Sequence, residues 1–163
     1  MINNLIKTIL FLILFYFSNS AYAISVYCKF EEVYQNHETQ TGKILINNDY
    51  LRYEYDSTKL YTIIKNPRGV FSISNLNHEL ISRVGDNKII NHLVDIYKKY
   101  PNINKIYKKD GYTFKIEKSK LNNFVKRISI KSSQLNMSIF FIDCDFKKIQ
   151  KFYFNEESII DYM

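Results

Sequence analysis

A chain of 163 residues carrying a formal charge of +7, with 46% hydrophobic and 16% aromatic residues, is sized for a single packed domain. Only four of its 23 basic residues are arginine, the side chain best suited to reading phosphates and bases, so the charge reads as a solvated face and argues against a nucleic-acid partner. Two cysteines and three scattered histidines offer no metal-ligand spacing.

The chain opens with Lys7 as its sole charge before Lys29, runs through the apolar residues 9–17 (ILFLILFYF), and reaches small residues at Ala21 and Ala23. That order predicts a secretory signal peptide over 1–23, cleaved after Ala23. The apolar run is about half of the roughly 20 residues needed to span a bilayer. The expected organisation is therefore a leader over 1–23 and one exported domain over 24–163. In an oxidising compartment Cys28 and Cys144 are candidates for a disulfide, the alternative being two buried thiols.

From Ser25 to Val84 the hydrophobic period is two, broken by turn residues. Val26, Cys28 and Phe30 alternate with Tyr27, Lys29 and Glu31. Strands follow at 43–46 (KILI), 50–56 (YLRYEYD), 60–65 (LYTIIK), 70–74 (VFSIS) and 78–84 (HELISRV). The triplet Asn47-Asn48-Asp49 and the stretch Asn66-Pro67-Arg68-Gly69 supply the turns between them. Within YLRYEYD, Leu51, Tyr53 and Tyr55 face one way and Arg52, Glu54 and Asp56 the other; alternation leaves open which row looks inward.

The period then becomes helical: Ile89, Ile90, Leu93, Val94, Ile96, Tyr97 and Tyr100 form one stripe, ended by Pro101. Residues 102–110 carry no clear period. Strand patterns resume at 112–118, 124–131, 135–143 and 147–155, and 158–162 is compatible with a short last strand. The stretch 135–143 (LNMSIFFID) is apolar on both sides, which predicts a strand between two apolar layers. The expected fold is mainly β: a strongly curved antiparallel sheet of about ten to eleven strands forming an incomplete, open barrel with a helical segment over it.

No nucleophile elbow, phosphate loop or paired-histidine motif occurs. The adjacent pairs Glu31-Glu32 and Glu156-Glu157 point to opposite faces of a strand, the wrong spacing for shared acid–base work. No catalytic residue, metal or cofactor is expected, and the chain is not read as an enzyme. What the composition does supply is aromatic surface in quantity, for a filled core or for an apolar cavity.

One family pattern fits this order. The segment 41–74, with Gly42 opening a strand, Arg52, Tyr53 and Tyr55 in an arginine-aromatic-x-aromatic strand, Gly69 in a turn and Phe71 in the next strand, resembles the periplasmic outer-membrane lipoprotein carrier (LolA-like) proteins, as do the helical insertion and the returning strands. The resemblance implies an open, curved barrel whose inner wall holds the acyl chains of a lipoprotein under a helical lid. It implies no cofactor and a monomer of the periplasm. Its implied partners are acylated lipoproteins, an inner-membrane release complex and an outer-membrane acceptor. The expected cavity wall is Leu51, Tyr53, Tyr55, Ile63, Phe71, Ile73, Met137 and Ile139. Arg52, Leu93, Ile96 and Tyr97 are the expected lid or partner contacts. The alternative is a hydrophobe-binding envelope protein of the same fold without a trafficking role.

Overall fold

Period-two patterns pair most simply with their chain neighbours, and ten strands do so in one antiparallel sheet. The computed structural model describes residues 25–84, 87–121 and 124–157, so the expected leader (1–23) and the strand expected over 158–162 lie outside it. The strands are β1 (Ser25–Tyr34), β2 (Thr39–Asn47), β3 (Tyr50–Tyr55), β4 (Tyr61–Asn66), β5 (Gly69–Ser74), β6 (Leu80–Val84), β7 (Ile106–Lys109), β8 (Tyr112–Lys118), β9 (Val125–Lys131) and β10 (Asn136–Phe146), and helix α1 (Lys88–Tyr97) separates β6 from β7. Their order across the sheet is β6-β5-β4-β3-β2-β1-β10-β9-β8-β7. Two meanders are thus joined where β1 pairs with β10. β6 and β7 are the unpaired edges, so the sheet stays open.

Each strand has an inner and an outer row. The inner row includes Val26, Cys28 and Phe30 of β1, Leu51 and Tyr53 of β3, Phe114 and Ile116 of β8, Ile128 and Ile130 of β9, and Met137, Ile139 and Phe141 of β10. These form one cluster with Ile90, Leu93, Val94, Ile96 and Tyr97 of α1. Residues from both wings of the sheet meet the same helix, so the sheet curves around α1; the His92 and Phe114 rings lie 5.3 Å apart. The helix begins where Asn87 accepts a hydrogen bond from the Ile90 N–H, which satisfies a first-turn donor. Its C-terminal end is tied down by an ion pair between Lys98 and Asp49 of the β2–β3 turn.

The tenth strand is not the one expected. Residues 147–155 cross the outer face of the sheet, with a 3-10 turn at Lys151–Phe154, while the strand appears at Ile106–Lys109, where no period was legible. The cause is visible in the hydrogen bonds. Carbonyls of the C-terminal segment accept from side chains of the sheet: Ile149 from Asn47 Nδ2 at 2.9 Å, Phe154 from Asn66 Nδ2 at 3.0 Å. A backbone satisfied in this way needs no neighbouring strand. Ile149 and Phe154 bury themselves against Leu45, Ile64 and Ile73 in a second, outer cluster. The two-sided burial expected of 135–143 therefore falls on β2–β4 instead, since Ile142 on the outer row of β10 is 44% exposed.

Cys28 and Cys144 form a disulfide across β1 and β10. The pairing register shifts there, between Tyr27 and Lys29, so that β10 bulges opposite Cys28, with Asp143 at a φ of 51°.

Candidate functional site

The inner face carries an acidic residue on an otherwise apolar row. Val26, Cys28, Phe30 and Glu32 alternate along β1, and all four are buried, Glu32 at 3% exposure. A buried carboxylate must find donors or stay neutral. Three tyrosine hydroxyls provide them. Tyr53 donates to Oε1 at 2.7 Å and Tyr34 to Oε2 at 2.7 Å, while Tyr55 straddles both oxygens at 3.2 and 3.1 Å. Burial, and then the charge of Glu32, hold the Tyr53 and Tyr55 hydroxyls above the usual tyrosine range; for Tyr34 burial leads and its hydrogen bond to Glu32 follows. All three stay protonated and remain donors at neutral pH.

Gly42 makes the cluster possible. It sits opposite Phe30 and Tyr55 in the ladders, and a Cβ there would collide with the Glu54 carbonyl and lie 2.5 Å from Phe30 Cζ. Without a side chain at 42, the Phe30 ring stacks on Tyr53 at 4.1 Å and meets Tyr55 edge-on at 5.6 Å.

Glu32 and its tyrosines form one side of a hollow of about 190 Å³ beneath the N-terminal half of α1. Ile63, Met137 and Ile139 line it from the sheet, and Ile89, Ile90 and Leu93 from the helix. A wider hollow of about 930 Å³ opens on the same face beyond the C-terminal end of α1, over Ile103, Ile116, Val125 and Phe141, with Lys105, Lys118, Lys120 and Lys126 among its lining. The larger space contains none of the expected wall residues. The smaller one holds the convergent polar groups, and those groups single it out as the candidate site.

Of the expected wall, Tyr53, Tyr55, Ile63, Met137 and Ile139 come together at the smaller hollow, and Leu51 lies on the same face within the core. Phe71 and Ile73 do not join them. Phe71 pairs across the ladder with Ile64 and Ile73 with Thr62, which places both on the outer row; Ile73 joins the outer cluster, Phe71 lies under the Arg83 guanidinium, and neither lines the inner hollow. Of the expected lid contacts, Leu93 lines the hollow, Ile96 is buried in the inner core, and Tyr97 meets Phe141 edge-on at 6.0 Å. Arg52, expected as a lid or partner contact, does not face α1. It lies on the outer face, 6% exposed, where Nε donates to Glu54 Oε2 at 2.8 Å and Nη1 reaches the Tyr153 carbonyl at 3.5 Å. It anchors the C-terminal segment and is remote from the face that α1 covers.

Glu32 and Tyr34 were missed by the sequence reading, which treated Glu31-Glu32 only as a badly spaced catalytic pair. The usable signal was the period: counting by twos from Val26 lands on Glu32, an acid on the row that had to be buried. Among the described residues no group of three histidine, cysteine or acidic side chains is arranged to hold a metal ion. No protein-family model and no curated protein matches this chain.

Proposed function

We propose that this protein is a periplasmic carrier that shelters acyl chains, those of lipoproteins in the first instance, between the inner face of its sheet and α1, passing them from an inner-membrane release complex to an outer-membrane acceptor. The observation that carries this reading is an open sheet curved around α1, the one α-helix among the described residues, with a mainly apolar hollow beneath its N-terminal half and a wider hollow of mixed apolar and charged lining on the same face. The wider hollow falls within the roughly 300–1,000 Å³ typical of ligand cavities, and the narrower one below it. Filling the narrower hollow with a long chain requires α1 to move outward. Each buried CH₂ would contribute about 0.8 kcal/mol toward that movement. The need for movement also keeps a second reading in play, a hydrophobe-binding envelope protein that holds a small ligand and does not traffic lipoproteins.

Protein isolated from an envelope fraction tests the proposal by native mass spectrometry and lipid extraction. A carrier co-purifies with acylated lipoprotein and releases lipoprotein from inner-membrane vesicles. Bound small lipid without release supports the second reading. No bound lipid and no uptake of a hydrophobic dye would leave a filled core and sink both.

A further inference from the structure

We infer that the smaller hollow selects amphiphiles with a cationic, hydrogen-bond-donating head, a protonated primary amine being the simplest, and that Glu32 is the group that recognises it. This rests on the reading of the inner face as a binding surface for apolar chains and adds the head-group chemistry. A carboxylate offers about four acceptor positions, and three hydroxyl protons converge on this one, that of Tyr55 shared between both oxygens. They supply dipoles but no positive charge. Among the described residues no lysine or arginine lines the hollow; Lys105, Lys118, Lys120 and Lys126 line the wider one. A carboxylate 3% exposed, beside an apolar hollow and with no basic side chain among the described residues that line it, is placed to receive a cation. Tyr34, Tyr53, Tyr55 and Tyr61 add ring faces, which attract cations further. The remaining wall, Ile63, Leu93, Met137 and Ile139 among it, accepts the alkyl chain. A carboxylate or phosphate head in the same position would face Glu32 as a like charge and is excluded.

Octylammonium and octanol, matched in chain length and short enough for a small hollow, are the probes, with binding to the full exported domain followed by calorimetry. The expected result is that octylammonium binds at least about tenfold more tightly than octanol, as a charge-assisted bond replaces a neutral one. In Glu32→Gln, which keeps the shape and an acceptor, the preference falls to about twofold or less. Leu135→Lys brings a resident cation to the half-buried rim without touching Glu32; it should abolish the ammonium preference while octanol still binds. This variant keeps the test decisive if Glu32→Gln does not fold. Octanol binding with no ammonium preference, or a preference that survives in either variant, overturns the inference and leaves the carrier reading intact. Failure of both probes to bind overturns the two together.

Discussion

Replacing Tyr53 by Phe isolates one hydrogen bond. The ring stays, stacked on Phe30 at 4.1 Å, and only the hydroxyl that donates to Glu32 at 2.7 Å is removed. Tyr53 is 2% exposed, so bulk solvent does not readily replace the lost donor. A hydrogen bond to a charged group contributes about 1.5–3 kcal/mol net, and the variant should lose about 2 kcal/mol. Tyr34→Phe removes a bond of the same length at a half-buried position and should lose less, about 1 kcal/mol, because solvent can replace it. Glu32→Leu should cost more than either, about 3 kcal/mol or above, since it strands the buried Tyr53 hydroxyl along with two others. Adding Tyr53→Phe to Glu32→Leu should then recover part of that loss, giving a coupling of about 1–2 kcal/mol. Urea unfolding with the disulfide intact measures the parent and all four variants, and unchanged slopes confirm that the unfolded reference is the same. Two additive losses, or a Tyr53→Phe variant within about 0.5 kcal/mol of the parent, would refute the claim that the phenols hold the carboxylate.

Three further outcomes follow from the geometry. Tyr34, Tyr53, Tyr55 and Tyr97 all hold their protons more tightly folded than unfolded, burial being the leading cause in each. Stability from these groups is fully present below the unfolded value of about 10 and is lost as pH rises beyond it. Tyrosinate absorbance from these four should therefore appear only together with alkaline unfolding, and their titration in a still-folded protein would contradict this. Gly42→Ala forces a methyl group into the Glu54 carbonyl and the Phe30 ring, and should cost upwards of about 3 kcal/mol; an unchanged melting temperature would show that the ladder yields more easily than argued. Removing the disulfide as Cys28→Ala/Cys144→Ala frees a separation of 116 residues, and a loss approaching 4–5 kcal/mol is expected on the roughly logarithmic loop-entropy account. A difference below about 1 kcal/mol in denaturant unfolding would remove the staple from the energetics.

The legibility of this chain followed the range of the forces involved. Alternation and turn chemistry act over a few residues, so the first six strands, the α1 stripe and the returning strands β8 to β10 could be read directly from the sequence. The two rows of YLRYEYD were equally plain, but which row faced inward was not. That choice depended on α1 and the C-terminal segment settling on opposite faces. Once they did, Leu51, Tyr53 and Tyr55 turned toward the helix, and Arg52 turned toward Tyr153. Phe71 and Ile73 went outward with Ile64 for the same reason, against expectation, because strand parity is local and face assignment is not. The segment 147–155 has a strand's composition, yet carbonyl acceptors taken up by Asn47 and Asn66, 102 and 88 residues away in sequence, made it a strap. The sequence by itself determined that this would be an antiparallel sheet with one amphipathic helix. Only the tertiary structure decided that Glu32, Tyr34, Tyr53 and Tyr55 would share a hollow, because β1 and β3 are brought together by β2 between them and a glycine at 42 leaves the room.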